Sequence, residues 1–212
     1  MKHAKTELIT EMDETDEMGH VEDETIRILV ATDNHLGYGE KYPERQMDSF
    51  TTFNEILQMG KDQKVDFVLL GGDLFHENKP TRFAEHNCIK ILKQHVLGDR
   101  PVEIEVISDP EINFSHCDPA HRVVNYMDPN LNIGLPIFSI HGNHDDPCGL
   151  GGFCTLDNLH TSGLVNFIGK IDNLQREFII HSLDSFKHMT KKSIDYIAFR
   201  NIQKICSKNI KI

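Results

Sequence analysis

The sequence predicts an α/β protein in which a sheet is covered by helices on both sides. Strand-length apolar runs, IRILVAT (26–32), VDFVLLGG (65–72) and LPIFSIH (135–141), alternate with longer amphipathic segments at 45–61 and 81–97. The second run is continuously apolar, as in a strand buried on both faces. A knot of Asp, His, Gly or Asn closes each of the three runs, at the edge where open α/β sheets build their sites.

In chain order, residues 1–25 hold nine acids against two lysines and show no helical or strand periodicity. They are expected to form a disordered acidic tail. IRILVAT begins the sheet. In 45–61, Met47, Phe50, Phe53, Ile56 and Leu57 share one helical face. VDFVLLGG is the second strand. In 81–97, Thr81 is placed to cap a helix, Cys88, Ile91, Leu92 and Val96 make its stripe, and Gly98 is placed to end it. VEIEVIS (102–108) alternates, as a half-exposed strand does. The turn-rich stretch 109–134 is a long loop, a class often functional or mobile. LPIFSIH is another buried strand, 153–161 a short helix, and LVNFIG (164–169) and IDYIAF (194–199) are weaker strands. The folded domain is therefore placed at 26–199, with a basic, frayed end at 200–212.

A chain of 212 residues, 39% hydrophobic and 26% charged, has the size and composition of a single soluble domain. No apolar run approaches the roughly 20 residues that span a bilayer, and the polar start lacks the apolar core of a signal peptide. The five cysteines contain no C-x-x-C pair and are read as free thiols in a reducing compartment. Charge is uneven: the net value is −11, yet residues 186–212 hold seven Lys/Arg against Asp195 alone. An acidic body argues against a simple basic-patch nucleic-acid binder. It leaves room for a metal-dependent enzyme acting on DNA, because a bound divalent cation reverses the local field.

Three motifs carry the chemistry. In VATDNHLG, Asp33 and His35 are two apart, which in extended backbone puts both side chains on one face. Carboxylate oxygen with imidazole nitrogen suits a transition-metal cation better than Ca²⁺. In LLGGDLFH, Asp73 follows a buried strand, and its two oxygens can bridge two cations. In HGNHDDP, Asn143 offers a carbonyl ligand, His144 can meet a phosphate oxygen or donate a proton, and Asp145 is placed to orient His144 from behind. Singly, each motif is also what a polar turn or a helix cap looks like. Their repetition at three strand ends is what singles them out.

D-x-H, then G-G-D, then G-N-H-D resembles the signature of the calcineurin-like metallophosphoesterases. The surrounding words ILVATDNHLG, VDFVLLGGDLFHENKPTR, LGDRPVEIEVISD and FSIHGNHDDP resemble the meiotic recombination 11-type nuclease subunit of the DNA double-strand-break repair complex. Phosphatases of the superfamily typically carry Asp-Arg-Gly after the second motif and GNHE at the third, where this chain has HENKP and GNHD. The resemblance implies a metallophosphoesterase-type β-sandwich flanked by helices and a site holding two Mn²⁺. Asp33 and His35 would bind the first ion, Asp73 would bridge, and Asn143 would bind the second. His144 would stabilise or protonate the leaving oxygen, and His76 would help position DNA for exonucleolytic cutting. It further implies a homodimer built in part from the helices at 45–61 and 81–97. The implied partners are DNA ends, a coiled-coil ATPase repair subunit and, in a eukaryote, a nibrin-type adaptor, in the nucleus.

The chain departs from the family in one respect. Three further histidine ligands, two of them in a later G-H-x-H turn, have no counterpart here, and His181 and His188 do not align with them. The sequence is thus expected to hold the N-terminal half of the sandwich and part of the metal cradle, with apolar sheet surface left exposed. The first reading is a Mn²⁺-dependent DNA exo- and endonuclease. The alternatives are a catalytically impaired fragment or isoform that only dimerises or binds partners, and a phosphatase of the same superfamily.

Overall fold

The computed structural model describes residues 26–148, 150–170 and 193–194. Its main sheet contains β1 (Ile28–Ala31), β2 (Phe67–Leu70), β4 (Ile137–Ser139) and β5 (Asn166–Phe167), in the order β1-β2-β4-β5. Every pairing in it is parallel. Parallel neighbours need crossovers of a dozen residues or more. Here they include α1 (Asp48–Asp62) between β1 and β2, α2 (Arg82–Val96) between β2 and β4, and α4 (Thr155–Thr161) between β4 and β5. A second, two-stranded parallel sheet pairs β3 (Glu105–Val106) with β6 (Ser193–Ile194). The predicted α/β class holds.

β2 shows why its sequence is apolar throughout. All four residues are buried. Val68 and Leu70 join Phe50, Phe53 and Leu57 of α1 and Cys88 and Leu92 of α2 in one core. Phe67 and Leu69 point the other way, into a second core with Ile104, Phe114, Val124, Phe138 and Ile140. Removing such a side chain wholly from water is worth about 1.5–3 kcal/mol, so the central strand fixes both layers.

The second core corrects the expectation of helices on both sides. Among the described residues, the segment from 102 to 127, which contains β3 and is otherwise mostly irregular, covers that face. It includes one four-residue helix, α3 (Pro110–Asn113), and 3-10 turns at Pro119–His121 and Asn125–Met127. Pro110 and Pro119 open their turns at the first helical position, where the missing N–H costs nothing, and the segment packs through isolated anchors such as Phe114. The long loop is therefore a structural layer. β1 lies at the sheet edge, and on this same side Ile28 and Val30 remain 43% and 50% exposed.

Two local expectations also change. Met47 precedes α1 as its N-cap residue and is exposed, while Thr81 does cap α2, accepting from the Ala84 N–H at 3.1 Å. The end of α2 does not use Gly98 in a left-handed turn. Leu97 goes extended and forms an antiparallel bridge with Ile133, so sheet-like pairing stops the helix. Cys88, Cys117, Cys148 and Cys154 are free thiols. The acidic tail, His181, His188, Cys206, the basic end and the 194–199 strand beyond Ile194 lie outside the described residues. No helix among the described residues is long and apolar enough to cross a membrane.

Candidate metal centre

Because β1, β2 and β4 are parallel neighbours, their C-terminal ends lie side by side, and the three motifs leave the sheet together. The first two stay zipped past the strands. Asp33 N–H donates to the Gly72 carbonyl at 3.1 Å and His35 N–H to the Asp73 carbonyl at 3.0 Å. Leu36 N–H then meets the Leu74 carbonyl at 2.8 Å, and His76 N–H the Leu36 carbonyl at 3.0 Å.

Asp33 and His35 do not share a face through extended backbone. Their φ angles are 55° and 45°, and Asp73 has φ 51°. Left-handed backbone is disfavoured for residues with a Cβ and gathers at functional sites. Here two residues of the first motif and one of the second take this conformation, and their ligand atoms come within 4.8 Å of one another, an arrangement that residue spacing does not encode.

Glycines bring the third motif against the second. Gly72 has φ 110°, and a Cβ on it would sit 3.0 Å from Gly142. A Cβ on Gly142 would collide with the Asp73 carboxylate. With both side chains missing, Asp73 Oδ1 reaches the backbone N–H of His144 at 2.8 Å. Asp73 thus belongs to the site, and the cap of the following helix falls to Thr81.

The expected pairing of Asp145 with the His144 ring is corrected. Asp145 is buried, and its carboxylate accepts from the backbone N–H groups of Leu74 at 2.8 Å and Phe75 at 3.0 Å. Burial raises its pKa, while those amides and that of Gly142 oppose the rise. The turn at Asp73 leaves these N–H groups without a ladder partner, and a buried carboxylate answers that need better than an imidazole that has another acceptor. His144 Nδ1 meets the His76 carbonyl at 2.6 Å.

Two donor groups result. Asp33, His35 and Asp73 place one ligand atom each within 4.8 Å of one another, and so do His35, His76 and His144. His76 stacks on His144 at 5.6 Å between centroids, and His35 meets both rings edge-on. Asn143 is exposed on the loop between Gly142 and His144. His116, Cys117 and His121 belong to neither group. Two residues take places at the site that the sequence did not suggest, Asn78 having the look of a cap for the helix that follows it. Tyr38 lies edge-on to His76 at 4.9 Å, with the Arg45 guanidinium 5.6 Å from its ring. Asn78 fixes the third loop through the Asp146 carbonyl at 2.6 Å. An aromatic directly after His-Leu-Gly, and an amide two after His76, were the available signals.

The family model of the calcineurin-like phosphoesterases matches residues 26–206. The chain belongs to this family. Membership and the Asp/His groups together point to divalent-metal use by this calcineurin-like phosphoesterase. It is 53% identical over 154 residues to the double-strand break repair protein mus-23 of Neurospora crassa. It is 49% identical over 155 residues to the double-strand break repair protein MRE11 of Homo sapiens, and 53% over 165 residues to mre-11 of Caenorhabditis elegans. These matches cover 73–77% of this chain and 20–22% of the relatives. The chain therefore spans about a fifth of the length of the curated relatives it matches.

Proposed function

We propose that this chain carries part of a Mn²⁺-dependent nuclease centre that hydrolyses DNA phosphodiesters in double-strand-break repair. The observation that carries the reading is the convergence of Asp33, His35 and Asp73 beside His144 at three adjacent strand ends. Two carboxylates with an imidazole suit a first-row divalent cation, so the donor set fits the metal. Asp33 and His35 would hold one ion, Asp73 would bridge to a second, and Asn143 would contribute to that second ion. When bound, the ions would polarise the phosphate, help ionise the attacking water and offset developing negative charge.

The chain's own groups do the rest. His144 Nδ1 is engaged by the His76 carbonyl, which leaves Nε2 to donate to the leaving oxygen. His76, with Tyr38 at its edge, would position the strand being cut. Repair function is supported by what the relatives are called. The family resemblance supports a coiled-coil ATPase partner, a nibrin-type adaptor, a nuclear location and a homodimer using α1 and α2, on which Met59, Phe83 and Ile89 are exposed.

The test is Mn²⁺-dependent nicking of plasmid and single-stranded DNA by the 212-residue chain. We expect cleavage that falls by about 10²-fold or more in His144→Asn, the usual scale for a lost proton donor. No cleavage by folded, Mn²⁺-loaded chain would leave dimerisation or partner binding as its role. Hydrolysis of a phosphopeptide with none of DNA would favour a phosphatase.

A further inference from the structure

His35 belongs to both donor groups, and the second differs in kind from the first. It contains three imidazoles and no carboxylate. His35 and His76 face each other Nδ1 to Nδ1 at 3.4 Å. Two imidazole nitrogens bound to one tetrahedral zinc, each about 2.0–2.1 Å from the ion, stand about 3.3–3.4 Å apart. The third ring is oriented in the way zinc ligands usually are. A carbonyl can only accept, so His144 Nδ1 carries the hydrogen toward His76 O at 2.6 Å, leaving Nε2 as the ligand atom. All three histidines are half-buried and open to entry from solvent.

We propose that His35, His76 and His144 form a site for a zinc-class cation, separate in its donors from the Asp33/His35/Asp73 set and sharing His35 with it. Imidazole-only coordination favours Zn²⁺, whereas carboxylates favour Mn²⁺. An ion in the histidine site occupies the two groups placed to handle the phosphate. His35 turns Nδ1 to His76 and Nε2 to Asp33 Oδ1 at 3.8 Å, and a neutral imidazole has one free lone pair, so it serves one ion at a time. Zinc and manganese would then compete for one residue, with zinc acting as an inhibitor. The site depends on the histidine geometry alone and not on which substrate the centre takes.

Cobalt titration of the metal-free 212-residue chain tests it, because tetrahedral Co²⁺ gives intense visible bands that octahedral Co²⁺ does not. We expect such bands to saturate at about one ion per chain and to vanish when Zn²⁺ is added. His76→Ala should weaken cobalt binding by at least about 10-fold, with His144→Asn as the second variant and thermal melts checking that each folds. Asp73→Asn should leave the bands unchanged, since its amide oxygen still accepts from His144 N–H. Octahedral bands only, no binding, or bands that respond to Asp73→Asn and not to the histidine variants would overturn the proposal. These readings report ligands whether or not the chain cuts DNA, so a failure here is distinct from a failure of the nuclease reading.

Discussion

The Asp73 carboxylate accepts the backbone N–H of His144 at 2.8 Å, across 71 residues of chain. One side chain therefore holds the His144 backbone in place while belonging to the Asp/His donor group. Disturbing the second motif displaces the third, and the reverse.

Gly142→Ala should show this coupling. The added methyl meets the Asp73 carboxylate, so one loop must move. We expect a destabilisation of about 1–3 kcal/mol, the usual scale of overpacking, together with weaker Mn²⁺ binding. Urea denaturation and calorimetric titration read the two effects separately.

Asp145→Asn replaces two acceptor oxygens by one. Either Leu74 N–H or Phe75 N–H then loses its partner in a buried setting. A cost of about 1–3 kcal/mol follows, measurable by chemical denaturation in metal-free buffer. Accelerated amide exchange at Leu74 or Phe75 would identify which bond was lost.

Divalent metal should stabilise the chain by mass action. At 100 times its dissociation constant Mn²⁺ adds about 2.7 kcal/mol, a rise in Tm of about 5–10 °C for a domain of this size, reversed by chelator. Asp33→Gly removes a proposed ligand and also relieves a left-handed residue at φ 55°. Its melting temperature should stop responding to Mn²⁺. Its metal-free stability should rise by about 0.5–1 kcal/mol, the strain relieved less the extra chain freedom of glycine.

Acid should weaken the fold through buried histidines away from the metal centre. Phe167 N–H donates to His160 Nδ1 and His160 Nε2 faces the His121 carbonyl, a pattern satisfied by the neutral ring. Burial lowers the pKa of His160 and also that of His95. Their folded pKa values lie below the unfolded value of about 6.5, so the unfolded chain binds more protons as pH falls. Stability is full above about pH 6.5 and declines as pH drops toward the folded values. Denaturation midpoints measured from pH 7.5 to 5 should fall, less steeply in His160→Gln.

Much of the fold was legible because periodicity reports burial directly. FVLL at 67–70 is apolar at every position because both faces are covered, and Phe50, Phe53 and Leu57 recur at helical spacing because one face is. The cover of the second face was not legible: between Ser108 and Leu135 its anchors, Phe114 and Val124, are too sparse to show a period. Motif positions at strand ends were readable for the same reason as the strands. The role of Asp145 was not, because its partners are backbone amides exposed by a turn 70 residues away.

The sequence by itself determined the strand–helix order, the α/β class and the three motifs at the strand ends, since apolar spacing and local residue type are properties of short segments. Tertiary structure alone decided how those motifs meet. Left-handed backbone at Asp33, His35 and Asp73, contact between Gly72 and Gly142, and the histidine group around His35 all arise from loops packed against one another. Such geometry depends on which chain segments become neighbours, and no local pattern of residues specifies that.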